Sequence, residues 1–345
     1  MLKSLRFWIG LTITLLFLSL FLYPLYRTGF AEMGRALREA NYFFLLPAML
    51  AYFIGVFFRS VRWRYLLKPL GNFSPFRLFP LIIIGFLVNN ILPARLGIVA
   101  RAYILGERER VSKMATAGTV VVEQVFDGVT LLFFIAIIAL FGVSIGGVLQ
   151  NTVYIAAGLF LGALALCFIL ASSARLARRA IALLLNILPQ RWRGRVEEWL
   201  VRLIEGLGMI RSPGKLLIIF IVSVLVWLCE AGMFYLVAFS FNLGQPFYVL
   251  LLATSISNLA WALLMTQGGL GSFDLACQQT LVFFGVTVGV ASSYVLVLHA
   301  ILLLPVTALG FIFLWWENLS LAKIMPRRER LAESYDGDAA LEDEE

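Results

Sequence analysis

The stretch that decides the fold reads Asn-Asn-Ile-Leu-Pro-Ala-Arg-Leu-Gly-Ile-Val-Ala-Arg, from Asn89 to Arg101, directly after the apolar run 81–88. It places two amides, a proline and two arginines where a hydrophobic segment would otherwise continue. In lipid, backbone groups freed by a proline must find partners inside the protein or line a water-filled cavity. Charged side chains at membrane depth are costly and usually mark a pathway or a ligand site. The stretch therefore predicts a polar site at a broken helix within a membrane protein.

The composition is that of a polytopic membrane protein. Of the 345 residues, 61% are hydrophobic and only 14% are charged, whereas roughly a quarter of a soluble domain is charged. The net charge of +8 would suit nucleic acid, but the arginines cluster beside apolar runs, where they set topology and contact anionic lipid headgroups. We therefore expect membrane lipids and not nucleic acid as partners. The three cysteines lack metal-ligand spacing, and we expect no metal and no cofactor.

The apolar segments predict the fold class, because a helical span needs about 20 apolar residues. We predict an all-α polytopic membrane protein with about six full spans plus two re-entrant or broken helical hairpins. The full spans are Leu5–Tyr23, Tyr42–Arg59, Met114–Phe141, Thr152–Ser172, Leu216–Phe241 and Ser292–Trp316. The interrupted segments are Phe79–Leu105, broken at Pro93 and Gly97, and Phe247–Phe284, broken at Gly268, Gly269 and Gly271.

Basic residues between the spans predict which loops face the cytoplasm. They follow the second span, precede the third and are frequent in residues 174–215. The loops around 142–151 and 242–246 carry no charge. By the positive-inside rule, the basic loops and both termini are cytoplasmic, in the plasma (inner) membrane. The charges fit best if the first hairpin enters from the inside and the second from the outside, which gives an inverted pseudo-repeat like those of transporters. The basic residues after the second span are Arg59, Arg62, Arg64, Lys68 and Arg77.

The predicted domain organisation is a single integral domain over residues 1–325. Its first apolar run is too long for a cleaved signal and is read as a retained helix. A short amphipathic stretch at 32–41 is expected on the outer interface, and 174–212 is expected to be a cytoplasmic, basic amphipathic segment in the headgroup layer. The charged tail 326–345 is predicted to be disordered.

Three motifs carry a resemblance to a known family. They are Asn90-x-x-Pro93-x-Arg95-x-Gly97-x-x-x-Arg101, Glu123-x-x-x-Asp127 and Gly268-Gly269-Leu270-Gly271-x-x-Asp274. Across nearly its whole length, the chain resembles the transmembrane domain of lysylphosphatidylglycerol synthases, a flippase-like family of integral membrane proteins. The resemblance implies translocation of a lipid across the bilayer. The chain departs from the family pattern at four positions. Relatives often carry an acid at the position of Ile98, an arginine at Gln124, a proline at Gln267 and a glutamate at Asp274.

The first broken segment supplies candidate contacts for a lipid headgroup. Arg95 and Arg101 are expected near a helix that begins after Pro93, with Asn90 just before the break. The positive N-terminus of a helix together with a guanidinium suits a phosphate. The alternative is that the two arginines are ordinary positive anchors at the end of a hairpin.

Glu123 and Asp127 are candidate partners inside the third span. Their spacing of four residues places them on one face of a helix. One interpretation is that they pair with Arg95 and Arg101 in a neutral structural cluster. The other is that one of them carries a coupling proton or holds a cationic headgroup, since two carboxylates this close raise each other's proton affinity.

The second broken segment supplies the remaining candidates. Its glycines, Gly268, Gly269 and Gly271, allow close backbone approach to a headgroup, with Asp274 following, or else simply tight helix packing. Glu230 must face the interior of its span and is a candidate coupling group. His299 is either a second coupling group or a hydrogen-bonded core residue. Asn258 and Ser255 precede the break and are expected to line the same cavity.

Four functions are compatible with these residues. The leading hypothesis, which rests on the resemblance, is a flippase that moves a phospholipid or polyprenyl-linked lipid headgroup between the two hairpins. The alternatives are a proton-coupled small-solute transporter, a membrane-embedded lipid-linked transferase, and a regulatory subunit without transport activity. The transferase is disfavoured because the acids lie within spans, so we expect no enzyme activity. The oligomeric state stays open, with a dimer among the options.

Overall fold

The computed structural model describes residues 5–28, 30–92, 96–141, 147–172, 213–264 and 266–317, with isolated positions between 172 and 213. The described residues form helices and no strands. The α-helices, in chain order, are α1 (Leu5–Thr28), α2 (Phe30–Glu39), α3 (Leu45–Leu66), α4 (Pro75–Ile91), α5 (Gly97–Glu109), α6 (Lys113–Leu140), α7 (Gly147–Ser172), α8 (Pro213–Ser240), α9 (Phe247–Leu264), α10 (Ser272–Phe283) and α11 (Val288–Trp316). The predicted segment 174–212 and tail 326–345 fall outside this description, apart from isolated positions in the former.

The all-α polytopic prediction is confirmed. In the described part of the chain, five helices are long and apolar enough to cross a bilayer, and the number rises to six if α1 and α2 form one bent span. Each of the six predicted full spans coincides with a helix. The five qualifying segments are Tyr42–Leu66, Lys113–Leu140, Gly214–Ser240, Phe247–Leu264 and Val288–Trp316.

Both predicted interruptions are present as helix breaks. Helix α4 starts with Pro75 at its first position, where a missing N–H costs nothing, and ends at Ile91. Helix α5 begins at Gly97 and packs back against α4. The second break separates α9 from α10 by a 3-10 turn, Gln267–Gly269, and these two helices also pack against each other. Each interrupted segment is therefore a pair of neighbouring helices.

Glycine sets the close approach of α4 and α5. A Cβ atom on Gly97 would lie 2.2 Å from the carbonyl oxygen of Gly85 and 2.6 Å from Oδ1 of Asn89. A Cβ atom on Gly85 would meet the aliphatic stem of Arg101 at 2.7 Å. The two helices can approach this closely only because neither glycine carries a side chain, and the space at Gly85 admits the Arg101 side chain.

The helix contacts repeat between the two halves of the chain. Helices α3 and α8 form the most extensive helix pair. Helix α3 packs against α4, and α8 packs against α9. Helix α4 of the first hairpin packs against α11, and helix α9 of the second hairpin packs against α6. Exchanging α3–α6 with α8–α11 thus reproduces the same contacts among these eight helices.

The apolar residues divide into a packed interior and a lipid-facing exterior. The interior includes Trp63, Phe234 and Tyr294, all fully buried. Large apolar side chains such as Leu46 and Leu304 are exposed on the outside, as expected for surfaces that meet lipid. Helix α2 confirms the amphipathic stretch near residue 32 as a short helix; it packs on α11, and Glu32 accepts a 2.6 Å hydrogen bond from the Thr287 hydroxyl.

One sequence interpretation is wrong. Arg59 and Arg62 were expected among basic anchors in a loop after a span ending at Arg59. Helix α3 instead continues to Leu66 and buries both arginines. The physical reason is that carboxylates on α6 and α8 compensate their charge, so the helix can remain inside the protein beyond the point where hydropathy falls.

Candidate functional site

Amide side chains organise the first helix break. Asn89 Oδ1 accepts a 2.7 Å hydrogen bond from the backbone N–H of Gly97, which caps the start of α5. Asn90 donates to the Thr307 hydroxyl of α11 at 3.1 Å. Both amides thus hold the break in place. Pro93 and Arg95 lie outside the described residues, and the assignment of Arg95 to a phosphate contact stays a prediction.

The second break is built on glycines with left-handed backbone. Gly268, Gly269 and Gly271 have φ values of 59°, 83° and 82°, a region that other residues rarely adopt. The Gln267 side chain donates to the carbonyl oxygen of Ile91 at 2.5 Å. The two breaks therefore touch, and the freed carbonyl at the end of α4 is satisfied by the turn of the other hairpin.

Arg101 and Glu123 form one part of a buried ion-pair network. Two hydrogen bonds of 3.1 and 2.8 Å join the guanidinium of Arg101 to the two oxygens of Glu123. The guanidinium also lies 4.0 Å from the ring centroid of Trp63, a cation–π contact. Arg62 lies 3.3 Å from the same carboxylate. The structural pairing considered from the sequence is thus present for Arg101.

Asp127 and Glu230 form the other part of the network. Arg62 donates to Asp127 at 2.6 Å, and the indole N–H of Trp227 donates to the same carboxylate at 2.9 Å. Arg59 bridges the two acids, at 3.3 Å from Asp127 and 2.9 Å from Glu230. Glu230 also accepts a 3.0 Å hydrogen bond from Asn258.

The network is electrically balanced. Among the residues that the structure describes, it contains three arginines, Arg59, Arg62 and Arg101, and three carboxylates, Glu123, Asp127 and Glu230, and all six side chains are buried. Ionised groups are tolerated in a low-dielectric interior only when they are paired and hydrogen-bonded. The balance therefore accounts for the presence of so many charges within the helix bundle.

A second polar pair lies at the glycine break. His299 Nδ1 contacts Asp274 Oδ1, and His299 Nε2 lies 3.0 Å from the carbonyl oxygen of Gly268. The other oxygen of Asp274 accepts a 2.9 Å hydrogen bond from the backbone N–H of Gly271. Asp274 and His299 thus link α10, α11 and the turn between α9 and α10.

A cavity of about 120 Å³ lies between the network and the second break. It has room for several water molecules, because one water occupies about 10–15 Å³ of such volume. Its polar lining comes from both hairpins and from helices α3, α6, α8 and α11. The polar residues that line it are Tyr52, Arg59, Asn89, Asn90, Gln124, Asp127, Trp227, Glu230, Asn258, Trp261 and His299, together with the backbone of Gly268 and Gly269.

The predicted site residues are therefore partly brought together. Asn90, Asp127, Gly268, Gly269, Glu230, Asn258 and His299 line the cavity. Arg101, Glu123, Gly271 and Asp274 lie behind this lining, where they hold other residues in place. Ser255, which was expected to line the same cavity, does not: it is buried within α9, where its hydroxyl donates to the carbonyl oxygen of Leu251.

Sequence reasoning missed Arg59, Arg62 and Trp227. A signal was available in the charge count, because Glu123, Asp127 and Glu230 lie within apolar spans and require an equal number of buried cations. The sequence offered Arg95 and Arg101 for that purpose, and a third cation had to come from the end of α3. Trp227 gave no signal, since tryptophan is common in membrane helices.

The fold and the cavity define a class: a polytopic helical membrane protein with an internal polar site surrounded by compensated charges. The match of residues 7–310 to the lysylphosphatidylglycerol synthase TM region family then places the chain in that family, to which it belongs. This confirms the resemblance seen in its motifs.

Two relatives share shorter segments with the chain. A UPF0104 membrane protein of Methanocaldococcus jannaschii is 32% identical over 109 residues, covering 31% of this chain and 32% of the relative. A UPF0104 membrane protein of Methanothermobacter thermautotrophicus is 38% identical over 96 residues, covering 28% of this chain and 29% of the relative. Each alignment spans less than a third of the relative's length. No solved structure matches the chain.

Proposed function

We propose that the protein is a lipid transporter that moves the headgroup of a phospholipid or polyprenyl-linked lipid through the cavity between its two hairpins. The lipid tails would stay in the bilayer, against the apolar exterior. The observation that carries the proposal is the position of the cavity: a polar space of about 120 Å³ at the point where two helix breaks meet. Membership of a family named for a lipid synthase's membrane region supports a lipid as the cargo.

The helix arrangement supports a route across the membrane. The contacts of α3–α6 are mirrored by those of α8–α11, which is what an inverted repeat would produce. In transporters of that design, the substrate site lies at the repeat interface near the bilayer midplane, and one half moves against the other. We propose that the two hairpins expose the cavity alternately to the two sides of the plasma membrane, with both termini cytoplasmic.

A cavity-filling substitution tests the proposal. Purified protein would be reconstituted into vesicles that contain a fluorescent phosphatidylglycerol, phosphatidylethanolamine or polyprenyl phosphate, and movement between leaflets would be followed by dithionite quenching. We expect at least one lipid to move faster than in protein-free vesicles. Ala262 lines the cavity, so Ala262→Phe should block this movement. Ala136→Phe, the same change at an exposed position on α6, should not.

Two outcomes would contradict the proposal. Equal lipid movement with and without protein, over the whole lipid panel, would contradict lipid transport. Unimpaired movement in Ala262→Phe would show that the headgroup takes another route.

A small-solute transporter is the second candidate, and the small volume of the cavity favours it. Under that function, no lipid in the panel would move faster with protein present. A proton-coupled solute would instead acidify or alkalinise the vesicle lumen on addition, and this change would be lost in Ala262→Phe.

A further inference from the structure

The contacts of the two ring nitrogens of His299 indicate which of them carries a proton. His299 Nε2 faces the carbonyl oxygen of Gly268 at 3.0 Å, and a carbonyl oxygen can only accept, so Nε2 carries a hydrogen and donates it. On the other side, Nδ1 faces an oxygen of Asp274. If both groups lacked a proton there, a nitrogen lone pair would face a carboxylate oxygen and the contact would be repulsive. The geometry therefore requires one proton between Nδ1 and Oδ1.

The surroundings of Asp274 place that proton on the histidine. The second carboxylate oxygen accepts a 2.9 Å hydrogen bond from the backbone N–H of Gly271, directly before α10 begins. A backbone donor at the positive end of a helix stabilises the ionised carboxylate. The pair is then an imidazolium and a carboxylate, with no net charge.

Among the described residues, the other ionisable groups near His299 lie across the cavity or on α10. From α3, α6 and α8, they are Tyr52, Arg59, Asp127 and Glu230, and from α10 they are Asp274 and Cys277. Helix α4 presents the amides Asn89 and Asn90. The described ionisable side chains of α1 are the exposed Tyr23 and Tyr26. Helix α2 contacts the N-terminus of α11 through Glu32. Since Arg59, Asp127 and Glu230 are engaged with one another, Asp274 is the direct charged partner of His299 in the described structure.

We propose that the Asp274–His299 pair is a binding site for one exchangeable proton, and that its occupancy holds the glycine break of the second hairpin closed. With the proton bound, His299 ties α11 to both α10 and the Gly268 carbonyl. When the proton leaves Nδ1 for water that enters the cavity lined by His299, the contact with Asp274 becomes repulsive, and Gly268 and Gly271 permit the turn to change conformation. Because Gln267 in this turn bonds to Ile91, opening would also free the first break.

The proton site does not depend on lipid transport. Only the use of this proton to drive or gate headgroup movement rests on the proposed function. The two claims can be separated by experiments that detect the proton and the turn without any transport assay.

The chain contains a single histidine, so the protonation state of His299 can be read directly. Protein labelled with ¹⁵N-histidine and purified through a tag without histidine would give the imidazole nitrogen signals of His299 alone. We expect both nitrogens to be protonated near neutral pH and one to lose its proton within a titration from about pH 5 to about pH 10. A ring that is singly protonated throughout, or doubly protonated throughout, would overturn the proposal.

Hydrogen–deuterium exchange of the turn tests the conformational part. After correction for the pH dependence of chemical exchange, residues 267–275 should exchange roughly tenfold to a hundredfold faster once His299 is deprotonated, as expected for loss of one hydrogen bond to a charged group. In Asp274→Asn, the amide can donate to a neutral Nδ1 at any pH. We therefore expect this variant to keep the slow rate at high pH and to show a neutral ring near neutral pH.

Glu32→Gln is the matched control, because it makes the same carboxyl-to-amide change on α2, against the N-terminus of α11 and away from His299. It should titrate and exchange as the unmodified protein does. Exchange that is independent of pH in the unmodified protein, or an equal pH response in Asp274→Asn, would show that the pair does not control the turn. These outcomes stand even if every lipid assay is negative.

Discussion

The Gln267 side chain donates a 2.5 Å hydrogen bond to the backbone carbonyl of Ile91, and this bond joins the break of one hairpin to the break of the other. The carbonyl belongs to the last turn of α4, where a helix leaves its final carbonyls without internal partners. In a membrane protein such a group needs a partner inside the protein. The second hairpin supplies it, so the two breaks stabilise each other.

The first prediction concerns this bond. Gln267→Ala should lower the free energy of unfolding in detergent by about 0.5–3 kcal/mol, because it removes a hydrogen bond and leaves a half-buried carbonyl without a protein partner. The measurement is unfolding of the purified protein by SDS titration. Gln279→Ala, at an exposed position of α10, is the control and should change stability by less than about 0.5 kcal/mol. Equal effects of the two substitutions would contradict the role of the bond.

The second prediction concerns the pair of Arg101 and Glu123. Each of Arg101→Met and Glu123→Leu alone should destabilise the protein by about 3–5 kcal/mol, because each leaves an uncompensated buried charge. The double variant should recover much of that loss, since the pair is replaced by apolar groups that suit a dry interior. SDS unfolding of all four proteins forms a double-mutant cycle. Additive losses in the double variant would mean that the two residues do not act as a pair.

The helices were predictable from the sequence because their signals are local. A run of about 20 apolar residues is sufficient to indicate a membrane helix, and Pro93 with Gly97 indicated the first break. The glycines from Gly268 indicated the second, since their left-handed backbone is a property of the residue itself. The class of fold followed from these runs alone.

The site was less predictable because its contacts are made between distant parts of the chain. Arg59 contacts Asp127 and Glu230, which lie 68 and 171 residues away. A hydropathy window ends a span at the first arginine, and so placed Arg59 in a loop. His299 was seen as an isolated histidine, because nothing local indicates that the N-terminus of α10 brings Asp274 to it. The excess of carboxylates within the spans was the only sequence signal of missing cations.

The third prediction uses the close approach of α4 and α5. Gly97→Ala should destabilise strongly, because its Cβ atom would lie 2.2 Å from a backbone oxygen that cannot move aside freely. Gly85→Ala should cost less, since its new methyl group meets the flexible stem of Arg101. Gly232→Ala in α8 meets nothing within 4 Å and should be neutral or stabilising by up to about 1 kcal/mol, the helix-propensity gain.

Thermal unfolding in detergent would rank these three variants. The expected order of stability, from lowest to highest, is Gly97→Ala, Gly85→Ala and Gly232→Ala. If Gly97→Ala were as stable as Gly232→Ala, α4 and α5 would not approach as closely as the structure shows.

The fourth prediction concerns the charge of the cavity. Glu230 lines it, whereas Glu123 lies behind the lining. Glu230→Gln removes one negative charge from the wall while an amide oxygen can still accept from Arg59 and Asn258. If a lipid headgroup enters, a unit charge about 8 Å away at an effective dielectric constant of about 20 changes its energy by about 2 kcal/mol. The variant should therefore favour anionic over cationic headgroups more than tenfold relative to the unmodified protein.

The measurement is a competition between phosphatidylglycerol and its lysyl derivative in the vesicle assay, which compares an anionic with a cationic headgroup on the same tails. Glu123→Gln makes the same change in chemistry and net charge away from the cavity and serves as the control. A charge effect that acts through the cavity should be larger for Glu230→Gln than for Glu123→Gln, because Arg101 and Arg62 surround the latter site and separate it from the headgroup. An identical shift in both variants would indicate a long-range effect of net charge, and would argue against Glu230 as a wall of the headgroup site.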